Sequence, residues 1–357
     1  MRPVEIEEVQ RIVREHPRLY VRGHGSKSGV YVEAEDAFPL DMSGLSGMVE
    51  YQPGEFTFTA LAGTPLLKVE RELTANDQYL PFDPPFAESG ATLGGTIASG
   101  LSGSGRYRYG GCRDFLLGVK FVTGEGNLVT GGGKVVKNAA GFDLPKMMVG
   151  SLGMFGALVE ATFKVFPRPQ AYLTVRKNYP AIQSAIAAMV DLSRKSWEIH
   201  TLDLTPSESQ CTLDVRIGGF QDGLITRAER IVRHLEQGEI LTGEDEAAIW
   251  SGRREFSWLP EKSALVKVPI TPFRLLELEQ FLDTNGAART YGVGGNLAWI
   301  GWPGEIPALD RELSEEALSG LVLRGGEGKP RLGRRPGESF YRRLKQALDP
   351  QNRWVEV

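Results

Sequence analysis

Between Ser89 and Gly156, 18 of 68 residues are glycine. Packing alone does not explain that density, because each glycine adds to the conformational entropy lost on folding. Two runs stand out. One is Ser89-Gly-Ala-Thr-Leu-Gly-Gly-Thr-Ile-Ala-Ser-Gly100; the other is Lys137-Asn-Ala-Ala-Gly-Phe-Asp-Leu144, followed by Gly150-Ser-Leu-Gly-Met-Phe-Gly156. Such runs let backbone amides approach a ligand closely, and a polyphosphate is the usual reason.

Two familiar ways of holding phosphate do not fit. Gly100-Leu-Ser-Gly-Ser-Gly105 reads G-x-x-G-x-G, and no strand–turn–helix with an acidic residue about 20 positions later surrounds it. Gly133-Lys134 is followed by Val135, and Leu128 stands where a Walker A motif needs its first glycine. A third element, Arg22-Gly-His-Gly-Ser-Lys27, can form a short nest of amides with the Ser26 hydroxyl beside it, although alone it reads as a surface turn. His16, His24, His200 and His234 are scattered without metal-ligand spacing, so no metal is expected.

At 357 residues the chain has room for two domains. A net charge of -4 speaks against nucleic acid. Cys112 and Cys211 give no disulfide framework, and two cysteines cannot hold an iron–sulfur cluster. The first residues lack a signal-peptide apolar core, and no run approaches the roughly 18–20 apolar residues that span a bilayer. A soluble, cytoplasmic protein is expected.

Apolar spacing predicts a helix over Val4 to Glu15, a strand at Leu19 to Val21 and a half-buried strand at Phe56 to Leu61. Thr64 is read as the N-cap, and Pro65 as the first residue, of a helix running to about Thr74. Phe115 to Val129 reads as a hairpin around Gly124-Glu-Gly126, and Phe155 to Phe166 as a strand stopped by Pro167-Arg-Pro169. Beyond that pair glycine thins out and strands alternate with helices, which predicts an antiparallel sheet with helices on one face. The arginines Arg216, Arg253, Arg254 and Arg289, with Tyr291, show no spacing signature and read mostly as solvated charges.

Taken in order, R-G-x-G-S-K, G-A-T-L-G-G-x-I-A and V-K-N-x-x-G-F-D-L…G-S-x-G-x-F-G resemble the PCMH-type FAD-binding domain of the vanillyl-alcohol oxidase superfamily, over about residues 1–170. The segment Ser104-Gly-Arg-Tyr-Arg-Tyr-Gly-Gly-Cys-Arg-Asp-Phe115 and the run from Gly132 to Leu144 narrow the resemblance to the FAD-binding subunits of glycolate oxidase. The histidine-rich metal motifs of the larger flavin subunit and the related lactate dehydrogenases are missing.

That resemblance implies an α+β chain: a two-part PCMH-type FAD-binding domain over 1–168, an antiparallel-sheet, ferredoxin-like cap over 169–330, and a C-terminal helix and tail over 331–357 that return to the first domain. It implies noncovalent FAD. Gly23, Gly25 and Ser26 would hold the pyrophosphate, with Arg22, His24 and Lys27 in the same turn. Thr92, Gly94, Gly95 and Ser99 would follow the ribityl chain from the other side, with Ser89 and Gly90 beside them. Lys137 and Asn138 would lie at the isoalloxazine edge, and Gly141, Gly150, Ser151 and Gly153 complete the expected set. His24 is not where superfamily members attach flavin, since Ser26 holds that place, and Cys112 reads as a small packed residue. Asp143 reads as an N-cap.

The implied activity is oxidation of a small 2-hydroxy acid, glycolate to glyoxylate, within a complex containing a second flavin subunit and an iron–sulfur subunit. Docking at the inner membrane through those partners follows from the same resemblance. No residue of this chain is singled out as the catalytic base. A self-sufficient oxidase of another hydroxy acid or polyol, and a mainly structural subunit with vestigial flavin affinity, stay open as alternatives.

Overall fold

A computed structural model describes residues 1–30, 35–133, 143–326 and 328–356. Lys137, Asn138 and Gly141 lie outside the described residues. The chain opens with the helix Ile6–Glu15, which buries Val9, Ile12 and Val13 on one face. The strand Leu19–Arg22 follows and pairs in parallel with Phe38–Asp41. A five-stranded antiparallel sheet comes next, in the order Met48–Gln52, Thr57–Leu61, Ala157–Lys164, Leu116–Val122 and Leu128–Gly132. The hairpin anticipated around Gly124 to Gly126 is present, with Gly118 opposite Gly132.

The helix after Thr57–Leu61 is Leu66–Thr74, but its cap differs from the expected one. Pro65 is the N-cap, with extended backbone. Thr64 instead turns its hydroxyl back to the Leu61 carbonyl at 2.7 Å, and the Leu66 amide donates to Ala91 O at 2.8 Å. The helix start is therefore satisfied by the glycine run and not by its own threonine. Asp143 does act as an N-cap, accepting from the Lys146 amide at 3.2 Å.

The later part of the chain builds a nine-stranded antiparallel sheet. Its order is Glu239–Leu241, Ala171–Tyr179, Cys211–Gly219, Ile199–Pro206, Ala288–Gly292, Leu297–Trp302, Ala264–Pro269, Ser319–Arg324 and Arg331–Gly333. Strand residues alternate between two cores. Val266, Ala298, Ile300 and Val322 face the helices Ile182–Ser193, Leu224–His234, Leu275–Thr284 and Ile306–Glu315. Leu265, Leu297, Trp299 and Leu323 face the other way, into a core shared with Phe58, Phe82, Phe115 and Phe163 of the first half. The sheet thus lies across the glycine-rich half as a second wall. The closing helix, Glu338–Leu348, brings Trp354 back against Leu19, where Leu19 N donates to Arg353 O at 2.7 Å and Val355 N donates to Leu19 O at 2.9 Å. Among the described residues no helix is long and apolar enough to cross a membrane.

Candidate functional site

The turn from Arg22 to Lys27 leaves the end of the first strand and reverses at Gly25, whose φ of +80° suits glycine. Lys27 runs inward and is 5% exposed. Its ammonium donates to Ser26 Oγ at 3.1 Å and lies 5.7 Å from the Phe86 ring centroid. Among the described residues no carboxylate pairs with it. Burial, and then the positive charge of Arg324, pull its pKa down from 10.5 to about 8.

Across from this turn stands the helix Leu93–Ser99. Thr92 is its N-cap, accepting from Gly95 N at 3.2 Å, which leaves the hydroxyl proton free for another acceptor. Ser99 donates to Gly95 O at 2.6 Å. The two walls nearly touch: a Cβ on Gly23 would lie 2.6 Å from Thr92 Oγ1. On Gly94 it would lie 2.8 Å from Ala62 Cβ, so this glycine also lets the helix pack against the chain that follows Thr57–Leu61.

Between the walls runs a cleft of about 800 Å³, counting the part open to solvent. Arg22, Gly23, Lys27, Thr92, Gly94, Gly95, Ser99 and Gly153 of the expected set line it. Apolar residues make up much of the remaining lining, with Tyr20, Met42, Leu152, Leu158 and Val355 among them. Sequence reading missed these because nothing distinguishes a cleft-lining leucine from a core leucine. His24 is exposed, with Nδ1 3.2 Å from Gly90 O. Ser89 does not line the cleft: its amide and hydroxyl donate to the Glu255 carboxylate at 3.1 and 2.7 Å. Gly150 borders a second crevice that meets the cleft at Ser99 and Leu152. Ser151 is buried, and among the described residues its Oγ has no hydrogen-bond partner, as is true of Thr96 Oγ1.

Arg324 was not anticipated. From the nine-stranded sheet it donates through Nε to Ser26 O at 3.2 Å and through Nη2 to Ser89 Oγ at 3.0 Å, with its guanidinium 4.4 Å from the Phe86 ring centroid. The arginines read as solvated charges are instead engaged. Arg216 pairs with Glu246 at 2.7 Å, Arg253 with Asp214, Arg254 with Glu70, and Arg289 with Glu279, which also accepts from Tyr291. Each of the four arginines therefore has a carboxylate partner. His200 sits buried between Tyr109 and Tyr172, where burial and then Arg108, Arg216 and Arg227 push its pKa down to about 3. The Cys112 thiol, also buried, is pushed up to about 12.

Residues 1–132 match the family described as "FAD binding domain". Over 356 residues the chain is 32% identical to the glycolate oxidase subunit GlcE of Escherichia coli (strain K12), covering 97% of this chain and 93% of that one. It is 34% identical to a D-2-hydroxyglutarate dehydrogenase of Xanthomonas citri pv. viticola, but over 47% of this chain and 36% of the relative. Among solved structures, alkyldihydroxyacetonephosphate synthase superposes with a TM-score of 0.69 at 18% identity, across 99% of this chain and 74% of that one, a likeness of fold. The near end-to-end match sets the assignment: the chain belongs to the family of glycolate oxidase subunit GlcE, within the FAD-dependent oxidoreductases.

Proposed function

We propose that this chain holds FAD noncovalently in the cleft between the Arg22–Lys27 turn and the Leu93–Ser99 helix, as one subunit of a glycolate-oxidising complex. The observation that carries the reading is Lys27, a buried ammonium with no carboxylate partner among the described residues, facing a glycine-lined cleft. A lone buried cation is costly, and a pyrophosphate removes the cost. The donor set fits that group: the free proton of Thr92, the amides of the Gly23 to Ser26 turn, and Lys27 itself. The long apolar stretch of the lining suits the rest of the cofactor.

FAD supplies the two-electron acceptor; the protein supplies binding and orientation. Lys27 and the turn would hold the pyrophosphate, and Thr92, Gly95 and Ser99 would line the cofactor from the other side. Noncovalent binding is supported by the two side chains that chemistry would otherwise use. Exposed His24 is turned to Gly90, and Cys112 is buried with a raised thiol pKa. Both cysteines are buried and unpaired, so an iron–sulfur partner must carry the cluster that takes electrons onward.

A visible spectrum of the purified chain, taken before and after anaerobic addition of glycolate, tests this. The expected result is oxidised-flavin bands, with the colour released into the supernatant on acid precipitation. Bleaching by glycolate would assign oxidation to this subunit; bands that persist until the partner subunits are added would assign it a relay role. A colourless chain that takes up no added FAD would end the proposal.

A further inference from the structure

The helix Gly243–Glu255 ends against the segment that leads into the first glycine run, and three successive residues take hold of it there. Arg254 donates through Nε to Pro84 O at 2.8 Å, and its own carbonyl accepts from the Phe86 amide at 3.2 Å. Glu255 accepts from the Glu88 amide at 3.0 Å through one carboxylate oxygen. Its other oxygen accepts from the Ser89 amide at 3.1 Å and the Ser89 hydroxyl at 2.7 Å. Phe256 packs its ring 4.9 Å from that of Phe86. Phe86 itself sits at a φ of +66°, a left-handed backbone that is costly for a bulky side chain and persists only where its surroundings impose it.

Neither Glu255 nor Ser89 lines the cofactor cleft, yet a continuous path joins them to it. The Ser89 hydroxyl gives its proton to Glu255, which leaves its oxygen to accept from Arg324 Nη2 at 3.0 Å. Arg324 lies over the Phe86 ring, and its Nε reaches Ser26 O at 3.2 Å, in the turn from which Lys27 enters the cleft. Three donors converge on Glu255, so an ionised carboxylate, which only accepts, is the group the arrangement needs. We propose that Glu255 is a positioning residue for the cofactor: by fixing Ser89 it orients Arg324, and through Arg324 it fixes the turn that would receive the pyrophosphate. This rests on the reading that FAD occupies the cleft with its pyrophosphate at that turn, and is indifferent to which way the cofactor runs from there. Glu255 thereby sets, from outside the cleft, how firmly FAD is held.

The test titrates FAD into the full chain, depleted of flavin, and follows flavin fluorescence at a temperature where circular dichroism shows each variant folded. Glu255→Gln, which keeps the shape but turns an amide donor toward donors, should raise the Kd for FAD roughly 10-fold. Ser89→Ala, which leaves the backbone grip and cuts only the link to Arg324, should raise it a few-fold. Glu255→Gln and Arg324→Gln combined should cost no more than the larger of the two alone, because both break one path. Glu244→Gln, exposed at the opposite end of the same helix, should change nothing. A Glu255→Gln chain that binds FAD as tightly as wild type would overturn the proposal. So would fold-changes that multiply in the double variant, the signature of two independent structural losses; in both cases FAD bound by wild type would leave the cofactor reading standing. A wild type that takes up no FAD would strike that reading, and the proposal with it.

Discussion

Burying Lys27 strips its ammonium of water without offering a counter-charge, and the consequence can be read in pH. Its folded pKa, about 8, is depressed below the unfolded 10.5, so between those values the unfolded chain binds more protons. The penalty is full below pH 8 and is relieved as pH rises through that window. A depression of this size corresponds to roughly 3 kcal/mol. Lys27→Met should therefore raise the melting temperature of the FAD-free chain by several degrees at pH 7, while weakening FAD roughly 10–100-fold. Calorimetry and a flavin titration on the same sample check both signs; a variant that melts lower and binds FAD normally would refute the role. His200 acts with the same sign in a lower pH window. Its folded pKa of about 3 lies below the unfolded 6.5, so its contribution is complete above pH 6.5 and is lost as pH falls. At pH 5 wild type should lose roughly 2 kcal/mol that His200→Phe keeps, read from denaturant midpoints at pH 7 and pH 5.

Elements were legible where their buried faces are apolar. Val9, Ile12 and Val13 gave away the first helix, whereas the closing one, whose buried residue is Lys345, was expected only from the family resemblance. The helix Gly243–Glu255 gave no signal because its buried face holds Glu246 and Trp250 and is satisfied by Arg216 and Thr174, so apolar periodicity is missing. The resemblance implied a tail that returns to the first domain, but nothing in the sequence singles out Trp354 as the residue that seats there. That return depends on Asp349, 2% exposed, which accepts from Lys345 at 2.6 Å, from the Arg353 amide at 2.9 Å and from the Trp354 amide at 2.8 Å. Asp349→Ala would orphan the buried Lys345 ammonium and two amides. A loss of about 3–5 kcal/mol is expected, measured as a fall in the urea midpoint with little change in slope.

At the scale of the whole molecule, the cleft was half legible. Its glycine-rich wall announces itself within short motifs, whereas Arg324 comes from 298 residues beyond the Ser26 carbonyl it binds, and no local pattern encodes that reach. Its two hydrogen bonds and its stacking on Phe86 tie the nine-stranded sheet to the Arg22–Lys27 turn and to the start of the first glycine run. FAD should accordingly stabilise the entire chain, by about 2.7 kcal/mol at a hundred times its Kd. Arg324→Gln should weaken FAD several-fold and leave the later half of the chain more open to limited proteolysis when FAD is bound, whereas wild type should gain protection across both halves.

The strand contact between Leu19 and residues 353–355 also closes a circuit in the chain. Val355 walls the same cleft that the Arg22–Lys27 turn opens, so the chamber is complete only once segments far apart in the sequence have met. A partly folded chain carrying both glycine runs still lacks one side of the chamber. Tight flavin binding should therefore appear during refolding only after that contact has formed, with the burial of Trp354 as its marker.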